Sequence, residues 1–500
     1  MRYTSTRMLL FCSTIWLIIA VACRKDDYKD WDKPEAVFYG LTADNELGMY
    51  NSGSNGLPLS KVNLSGLESG EKIIAIDFRP ATGQLYGLGN NSRLYTINPD
   101  NGMTRPVGLS AFSPAINGTI AGFDFNPTVD RIRLITNTGQ NLRLHPETGM
   151  VAATDGSLNP GSPMAIGAAY TNNTAGAATT ELFVIDAATG TLFKQDPPND
   201  GKLREIGSLK INLSGGGGFD ITPDNKIALA SLVVRGRPYL YQVNLGTGRA
   251  TELTKLNKEL IGLAIPTSPV AYTTDNSNNL WIFNFEKPVN PVSKTIQGLQ
   301  PGEIIHGLDM RPATGQLYAL GSSSRIYTIN MANGAATVVG SQFATALSGD
   351  VFGFDFNPVA DRIRIVSNSG QNLRVHPETG AVAFVDGMLK PGTPMVTAAA
   401  YTNNFAGTTS TVLFDADIAT DKLYKQDPPN DGILTEIGNL GINIEGSGGM
   451  DIGGRSNMAY GLFKVNGNTG MYKVNANTGA ASKLADFPGI GNTLAIGLGF

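Results

Sequence analysis

Short apolar runs alternate with polar residues along the whole chain, and turn residues separate them. The run IIAIDF (73–78) is followed by a Pro-containing turn and then by QLYGLG (84–89), and IAGFDF (120–125) is followed in the same way by RIRLIT (131–136). Alternation with a period of two over four to eight residues predicts β-strands, and Asn, Asp, Gly and Pro between them predict turns. Helical periodicity is scarcely visible. The pattern therefore predicts an all-β fold of antiparallel sheets.

The chain contains a tandem duplication. The octet RPATGQLY at 79–86 returns unchanged at 311–318, and the offset between recurring segments stays at 231 or 232 residues. The other recurring segments of the first copy are GFDFNP (122–127), GQNLR (139–143), AYTNN (169–173) and KQDPPNDG (194–201). We predict two copies of one domain, at residues 36–266 and 269–500.

Each copy contains five weaker repeats, each long enough for four short strands. A unit of about 45 residues with four strands is the size of a propeller blade. The predicted fold class is all-β, with two tandem five-bladed β-propellers; the alternative is one ten-bladed propeller. Two rings are preferred because ten blades lie outside the usual range of about four to eight. ELIGLAI (259–265) and LAIGLGF (494–500) resemble each other, and both fit the innermost strand that is missing before AVFYGLTA (36–43).

The order of these motifs carries a resemblance to a known family. The succession DFRPATGQLYGLG, RLYTINPDNG, GFDFNPTVDRIRLITNTGQNLRLHPETG, AAYTNN and DPPNDG resembles the bacterial family called domain of unknown function 4394. It occurs twice and covers nearly all of the chain after residue 35. The resemblance implies an exported, propeller-like protein, and it implies no activity and no catalytic residues. His145 and His376 stand where that family commonly has Asn, which is a small departure.

The N-terminus is typical of a secretory signal. Arg2 and Arg7 precede an apolar run from Met8 to Ala22, which is shorter than the roughly 20 residues of a membrane-spanning helix. The small residues before Cys23 resemble the lipobox of bacterial lipoproteins, which implies cleavage before this cysteine and acylation of its thiol. We predict a lipoprotein signal peptide at residues 1–22. The alternative is an ordinary cleaved signal or a single-pass anchor.

The number and position of the cysteines favour lipidation over an ordinary cleaved signal. Cys12 would leave with the signal, so the mature chain has only Cys23 and no internal disulfide. We predict that Cys23 is the lipidation site and that residues 23–35 are the acylated cysteine and its tether. Asp26 and Asp27 resemble the acidic tract of surface-exported lipoproteins. The predicted location is therefore the outer membrane, with exposure at the cell surface and the membrane as a partner through the lipid.

The net charge of the chain argues against a nucleic-acid partner. The formal charge is -4, with 38 Lys and Arg residues against 42 Asp and Glu residues. Because nucleic-acid binding requires a basic surface, we do not expect a nucleic-acid partner.

The third repeat of each copy differs most from the others, because arginines and amides are concentrated there. We name these residues the arginine cluster and predict that they bind a ligand. Its members are Arg131, Arg133, Gln140, Asn141 and Arg143 in the first copy, and Arg362, Arg364, Gln371, Asn372 and Arg374 in the second. Facing guanidinium groups can bind a carboxylate, a sulfate or an anionic sugar. The alternative is a polar lattice between blades, in which Asp130 and neighbouring glutamates pair with the arginines.

Aspartates recur on predicted inner strands, mostly in the frame Asp-x-x-Pro. They are Asp77, Asp124 and Asp220, with counterparts Asp309, Asp355 and Asp451. Such carboxylates could coordinate a cation or act as a base, but their recurrence favours a scaffold role in which they accept hydrogen bonds from backbone N–H groups at the turn. Three histidines and no cysteine after the tether argue against a zinc site and a His-based triad. No metal, cofactor or catalytic residue is assigned.

Two functions of different classes remain. The favoured one is a non-enzymatic binding or adhesion module for a glycan or an extracellular protein, because two similar sites on one chain can gain avidity. The alternative is a propeller glycoside hydrolase or polysaccharide lyase, which needs carboxylates about 5–9 Å apart across a pocket.

Overall fold

The computed structural model describes residues 33–119 and 121–500. Residues 34–500 form one compact unit, and it is all-β. In the described part of the chain the helices are two 3-10 turns, Pro198–Asp200 and Pro429–Asp431, and no helix there is long and apolar enough to cross a bilayer. The predicted signal peptide and Cys23 lie outside the described residues.

The first copy supplies strands β1 to β20. They are β1 (Val37–Leu41), β2 (Glu46–Asn51), β3 (Ser60–Asn63), β4 (Ile73–Phe78), β5 (Leu85–Gly89), β6 (Arg93–Ile97), β7 (Thr104–Val107), β8 (Ala121–Asn126), β9 (Arg131–Thr136), β10 (Asn141–Leu144), β11 (Val151–Thr154), β12 (Ala165–Tyr170), β13 (Leu182–Asp186), β14 (Thr191–Gln195), β15 (Leu203–Ser208), β16 (Leu213–Ile221), β17 (Ala228–Val234), β18 (Arg237–Val243), β19 (Ala250–Lys255) and β20 (Gly262–Ala264).

The second copy supplies strands β21 to β40. They are β21 (Ala271–Thr274), β22 (Asn279–Phe283), β23 (Val292–Thr295), β24 (Ile305–Met310), β25 (Leu317–Gly321), β26 (Arg325–Ile329), β27 (Ala336–Val339), β28 (Phe352–Asn357), β29 (Arg362–Ser367), β30 (Asn372–Val375), β31 (Val382–Val385), β32 (Val396–Tyr401), β33 (Leu413–Asp417), β34 (Lys422–Gln426), β35 (Leu434–Asn439), β36 (Gly449–Ile452), β37 (Ala459–Val465), β38 (Asn468–Val474), β39 (Ala481–Asp486) and β40 (Ala495–Ile496).

These strands form ten four-stranded antiparallel sheets. Eight sheets use four consecutive strands, and the other two are closed by a strand from the far end of their copy. Strand β20 pairs with β1, with Ala264 opposite Tyr39, and β40 pairs with β21, with Ala495 opposite Tyr272. The two segments predicted to supply the missing innermost strands therefore do so.

The innermost strands of each copy surround a common axis. In the first copy β4, β8, β12, β16 and β20 each contact the next and the last contacts the first, and β24, β28, β32, β36 and β40 do the same in the second. Each axis encloses a cavity of only about 10 Å³. The strands approach closely because glycines line the axis; a Cβ on Gly122 would lie 2.7 Å from the Cβ of Ala168. This arrangement is propeller-like, and the number of blades stays a prediction.

The apolar core lies between neighbouring sheets rather than within one layer. Tyr86 of β5 meets Phe125 of β8 with ring centroids 5.1 Å apart and nearly perpendicular planes. Tyr318 and Phe356 repeat this contact at 5.1 Å in the second copy. Alternate residues of each strand are buried by the flanking sheets, which explains the period of two along the sequence.

The repeated octets lie where the two copies meet. The Nη1 of Arg79, in the octet 79–86, donates to the carbonyl oxygen of Gly315 at 3.4 Å. The hydroxyl of Tyr272 donates to the carbonyl oxygen of Ala81 at 2.9 Å. Both contacts join the first copy to the second, so the two copies pack directly against each other.

Candidate functional site

The arginine cluster is built on the antiparallel pair β9 and β10, where Arg133 lies opposite Arg143. Arg133 is buried, with 2% exposure. Its guanidinium donates to Asp155 Oδ2 at 2.5 Å, to Asn141 Oδ1 at 2.8 Å and to Asn199 Oδ1 at 2.8 Å. All of these partners belong to the first copy, so Arg133 holds neighbouring segments together.

The amides of the cluster are also engaged within the chain. Asn141 donates through Nδ2 to the carbonyl oxygens of Gly156 and Pro198, at 2.9 and 3.1 Å. The Nε2 of Gln140 donates to the carbonyl oxygen of Ala115 at 2.9 Å, and its Oε1 accepts the backbone N–H of Asn117 at 2.7 Å. These groups brace loops around the sheet.

Arg131, Gln140 and Arg143 are the half-buried members of the cluster in the first copy, and they reach solvent. Arg143 makes a bidentate ion pair with Asp155, at 2.8 and 2.9 Å, and a third of its side chain is exposed. Arg131 donates to the carbonyl oxygen of Asp130 at 2.8 Å. Ligand binding by the cluster stays a prediction, and Arg133 is too deeply buried to take part in it.

The second copy repeats this network. Its contacts are Arg364 with Asn372, Asp386 and Asn430, Arg374 with Asp386, Arg362 with the carbonyl oxygen of Asp361, and Gln371 with the carbonyl oxygen of Ala346. Arg374 also lies 4.0 Å from the ring centroid of Phe384, which is 54% exposed. The same atoms are paired in both copies, as expected of a scaffold.

The lattice alternative named the wrong carboxylate. Asp130 pairs with Arg79 through two hydrogen bonds, of 2.9 and 2.5 Å, and Glu147 joins the same guanidinium at 3.0 Å. The carboxylate that pairs with Arg133 and Arg143 is Asp155, which sequence reasoning missed. Its recurrence as Asp386, in the shared Asp-Gly after β11 and β31, is the signal that could have found it.

The inner-strand aspartates converge at each axis. We name Asp77, Asp124 and Asp220 the first axial triad, and Asp309, Asp355 and Asp451 the second. In each triad, one carboxylate oxygen from each of the three aspartates lies within 4.8 Å of the corresponding oxygens of the other two. All six side chains are buried. The period-two pattern placed these residues on inner strands, and the topology brings them together.

Each axial carboxylate accepts backbone N–H groups of inner strands. In the second copy the donors are Met310 and Phe356 to Asp309, Tyr401 to Asp355, and Ile452 and Ile496 to Asp451, at 2.6–3.1 Å. These donors lie on or beside the five inner strands, which have no ladder partner on the axial side. The scaffold interpretation therefore fits, but the main partners belong to the neighbouring sheet rather than to the turn after each aspartate.

Burial and mutual repulsion disfavour the ionised form of the axial carboxylates. Burial raises the pKa of Asp77 well above its usual range, and the charge of Asp220 raises it further. Burial raises the pKa of Asp124 in the same way, with Asp77 adding to the effect. Burial raises the pKa of Asp220 and of Asp451 to about 7, partly offset by their backbone N–H donors.

One further buried carboxylate departs from the repeat. Asp415 on β33 is fully buried, and neither of its oxygens has a hydrogen-bond partner among the described residues. Burial raises its pKa to about 8, with Arg364 lowering it and Asp417 raising it. The first copy has Val184 at this position, so comparing LFVID with LFDAD would have revealed it.

A groove of about 470 Å³ lies between the two copies. We name it the inter-copy groove. The first copy lines it with Gly83, Gln84, Leu85, Thr96, Ile97, Asn98, Pro99, Asn101, Met103 and Arg105, and the second copy lines it with Asn403, Phe405, Ala406, Gly407, Thr408, Thr409, Ser410, Gly454, Arg455, Leu498 and Gly499. Sequence reasoning missed this groove because it depends on how the copies pack.

The groove combines apolar surface with guanidinium groups. Met103 is 45% exposed and Phe405 is 39% exposed. Arg455 is held by Asp100 through hydrogen bonds of 2.7 and 2.6 Å. Arg105 lies against Gly407, and no carboxylate of the described residues forms an ion pair with it. Arg105 therefore offers an uncompensated positive charge.

Comparison with known families and proteins agrees with this organisation. The chain belongs to the family described as "Domain of unknown function (DUF4394)", which matches residues 46–264 and again residues 279–497. It is therefore a tandem pair of these domains. No curated protein sequence matches the chain.

Three similar solved structures share little sequence with this chain. One is PorZ, described as an essential bacterial surface component of the type-IX secretion system of Porphyromonas gingivalis (13% identity, 92% of this chain and 60% of that chain, TM-score 0.26). Another is the extracellular domain of BT4673 from B. thetaiotaomicron (12% identity, 91% of this chain and 65% of that chain, TM-score 0.26). A third is the Dos1 propeller (12% identity, 67% of this chain and 90% of that chain, TM-score 0.27). The chain spans less than two thirds of the length of PorZ and of the BT4673 domain.

Proposed function

We propose that this pair of DUF4394 domains is a cell-surface lipoprotein that binds a glycan in the inter-copy groove without catalysing a reaction. The chemistry of the groove lining carries the proposal: among the described residues that line it, none is Asp, Glu or His. A groove with many hydrogen-bonding groups and no acid or base is suited to binding rather than to hydrolysis.

The lining favours a sugar over a protein segment. Amide and hydroxyl side chains from both copies line the groove and can match sugar hydroxyls, among them Asn98 and Asn101 of the first copy. Asn403 and Thr408 of the second copy each donate to the carbonyl oxygen of Ser410 and can still accept hydrogen bonds. The exposed ring of Phe405 can pack on a sugar face. The uncompensated guanidinium of Arg105 suits a carboxylate or sulfate on the glycan. A protein ligand is the other outcome of the binding test.

The hydrolase or lyase alternative finds no support at either candidate site. The axial triads are fully buried, and the cavity beside each, of about 10 Å³, has room for about one water at most, so no sugar ring fits there. The groove is large enough but has no carboxylate pair among its described lining residues.

The groove contains side chains that the other copy lacks at equivalent positions. Phe405 corresponds to Thr174, and Arg105 corresponds to Thr337. We expect Phe405→Thr to weaken binding to the best acidic glycan on an array by about tenfold, because stacking area is lost without disturbing the backbone. Wild type and variant are compared on the same array. A binding profile unchanged by Phe405→Thr would place the ligand elsewhere.

Display at the cell surface depends on the predicted acylation of Cys23. We expect Cys23→Ala to abolish incorporation of a fatty-acid analogue and to release the protein from membranes, because the thiol is the site of the thioether-linked lipid. Cys12→Ala is the matched control and should label normally, since this residue lies within the predicted signal. Undiminished labelling of Cys23→Ala would contradict the lipoprotein assignment.

A further inference from the structure

Each axial triad leaves oxygen atoms available at the axis. Asp355 accepts one backbone N–H through Oδ1, and its Oδ2 has no partner among the described residues. Among the described residues no Lys or Arg side chain donates a hydrogen bond to the triads, so their negative charge has no side-chain counterion. Three desolvated carboxylates this close require a positive charge or protons.

A buried amide is directed at the same point. Asn404 is 1% exposed, its Nδ2 lies 3.5 Å from Asp451 Oδ1, and its Oδ1 has no partner in the described part of the chain. Asn173 takes its place in the first copy, where it is 0% exposed and neither amide atom has a partner. Because a buried amide normally makes hydrogen bonds, these unpartnered atoms point to a missing ligand. A half-turn of the amide exchanges Oδ1 and Nδ2.

The spacing of the oxygens fits a calcium ion. Three oxygens that lie within 4.8 Å of one another have a common point no more than about 2.8 Å from each of them, which admits the Ca²⁺–oxygen distance of about 2.3–2.6 Å. Magnesium dehydrates reluctantly and usually retains several waters, which suits a fully buried set of ligands poorly. The donors are carboxylate and amide oxygens only, which favours a hard cation over zinc or copper.

We propose that each axial triad binds one Ca²⁺ ion through its three carboxylates and the amide oxygen of Asn173 or Asn404. The ion would link inner strands of different sheets and so stabilise the closure of each copy. This inference does not depend on the proposed glycan binding, because the axial triads and the inter-copy groove share no residue.

The test measures calcium on the chain from Arg24 onward, which retains every described residue. After dialysis against a chelator and then against buffer, calorimetric titration with CaCl₂ should show two ions per chain, and calcium should raise the melting temperature. Metal analysis of undialysed protein should also find two calcium ions. A folded wild-type chain that shows no heat on titration and contains no calcium would overturn the proposal.

Replacing one aspartate of each triad with asparagine tests whether the two calcium ions bind at the axial triads. Asp124→Asn should reduce the stoichiometry to one, and adding Asp355→Asn should reduce it to zero. These two positions are chosen because each side chain accepts one backbone hydrogen bond from a described residue, Tyr170 or Tyr401, which an amide oxygen can still accept. Asp415→Asn is the matched control, a buried carboxylate outside the triads that should leave two ions bound.

Two further outcomes would contradict the assignment. Retention of two ions by the double variant would place calcium elsewhere, and equal affinity for magnesium would contradict the choice of calcium over magnesium. If the double variant fails to fold, the wild-type titration and metal content still decide whether the sites exist.

Discussion

Replacing Arg133 with Ala is expected to lower the free energy of unfolding by about 3–5 kcal/mol, which is typical for breaking a buried ion pair by removing one partner. The side chain of Asp155 is only 6% exposed, and the substitution would remove its closest ion-pair partner. It would also remove the hydrogen bonds that Arg133 donates to Asn141 and Asn199. Urea denaturation followed by circular dichroism measures the loss. Arg364→Ala should have an effect of the same size in the second copy.

Arg131→Ala is the matched control for this prediction. It lies two residues away on the same strand, but it is half-buried, and its hydrogen bond among the described residues goes to the backbone of Asp130. Its removal should change the free energy of unfolding by no more than about 0.5 kcal/mol, because no buried ion pair is broken. If Arg133→Ala were as stable as Arg131→Ala, the arginine cluster would not be a scaffold, and the ligand-binding prediction for all of its members would regain its support.

Replacing Asp415 with Val is expected to stabilise the protein, and the gain should grow with pH. The pKa of Asp415 is about 8 in the folded state and 3.8 in the reference state. Below pH 4 both states are protonated, so the ionisation of Asp415 does not lower the stability of the wild type. Above that pH the unfolded chain loses a proton that the folded chain retains, so the wild type loses stability until the pH passes about 8.

The difference in protons bound by the folded and unfolded chains determines how steeply the free energy of unfolding changes with pH. Between pH 5 and pH 7 the difference in unfolding free energy between Asp415→Val and wild type should widen by up to about 1.4 kcal/mol per pH unit. Using the difference cancels the contributions of the titratable groups that both proteins share, except for Asp355, whose pKa is raised in part by the charge of Asp415. Val184→Asp is the reciprocal variant and should introduce the same pH dependence into the first copy. A difference that is constant from pH 5 to pH 7 would contradict this assignment.

The repeats made much of the fold predictable. The period of two marked the strands, and the resemblance of ELIGLAI to LAIGLGF predicted the strands that close each copy, which pair with β1 and β21 as expected. The packing of the copies was not predictable in this way. It rests on single contacts such as the hydroxyl of Tyr272 to Ala81, which leave no periodic pattern.

The candidate sites were predictable in part. Alternation brought Arg133, Asn141 and Arg143 together on neighbouring strands, but it could not show that Asp155 neutralises them, because this residue follows β11 in a loop. The axial aspartates were placed on inner strands, but their convergence requires sheets that are distant in sequence. The inter-copy groove could not be predicted at all, since Arg105 and Phe405 meet only through packing of the copies.

A calorimetric titration with the best acidic glycan from the array decides whether the ligand occupies the inter-copy groove. Arg105→Thr should weaken binding by roughly 10- to 100-fold, because one charge-assisted hydrogen bond is worth about 1.5–3 kcal/mol. Arg131→Ala combined with Arg362→Ala, which removes half-buried arginines outside the groove, should bind as the wild type does. Unchanged affinity in Arg105→Thr together with lost affinity in the control would contradict binding in the groove and assign the ligand to the arginine cluster.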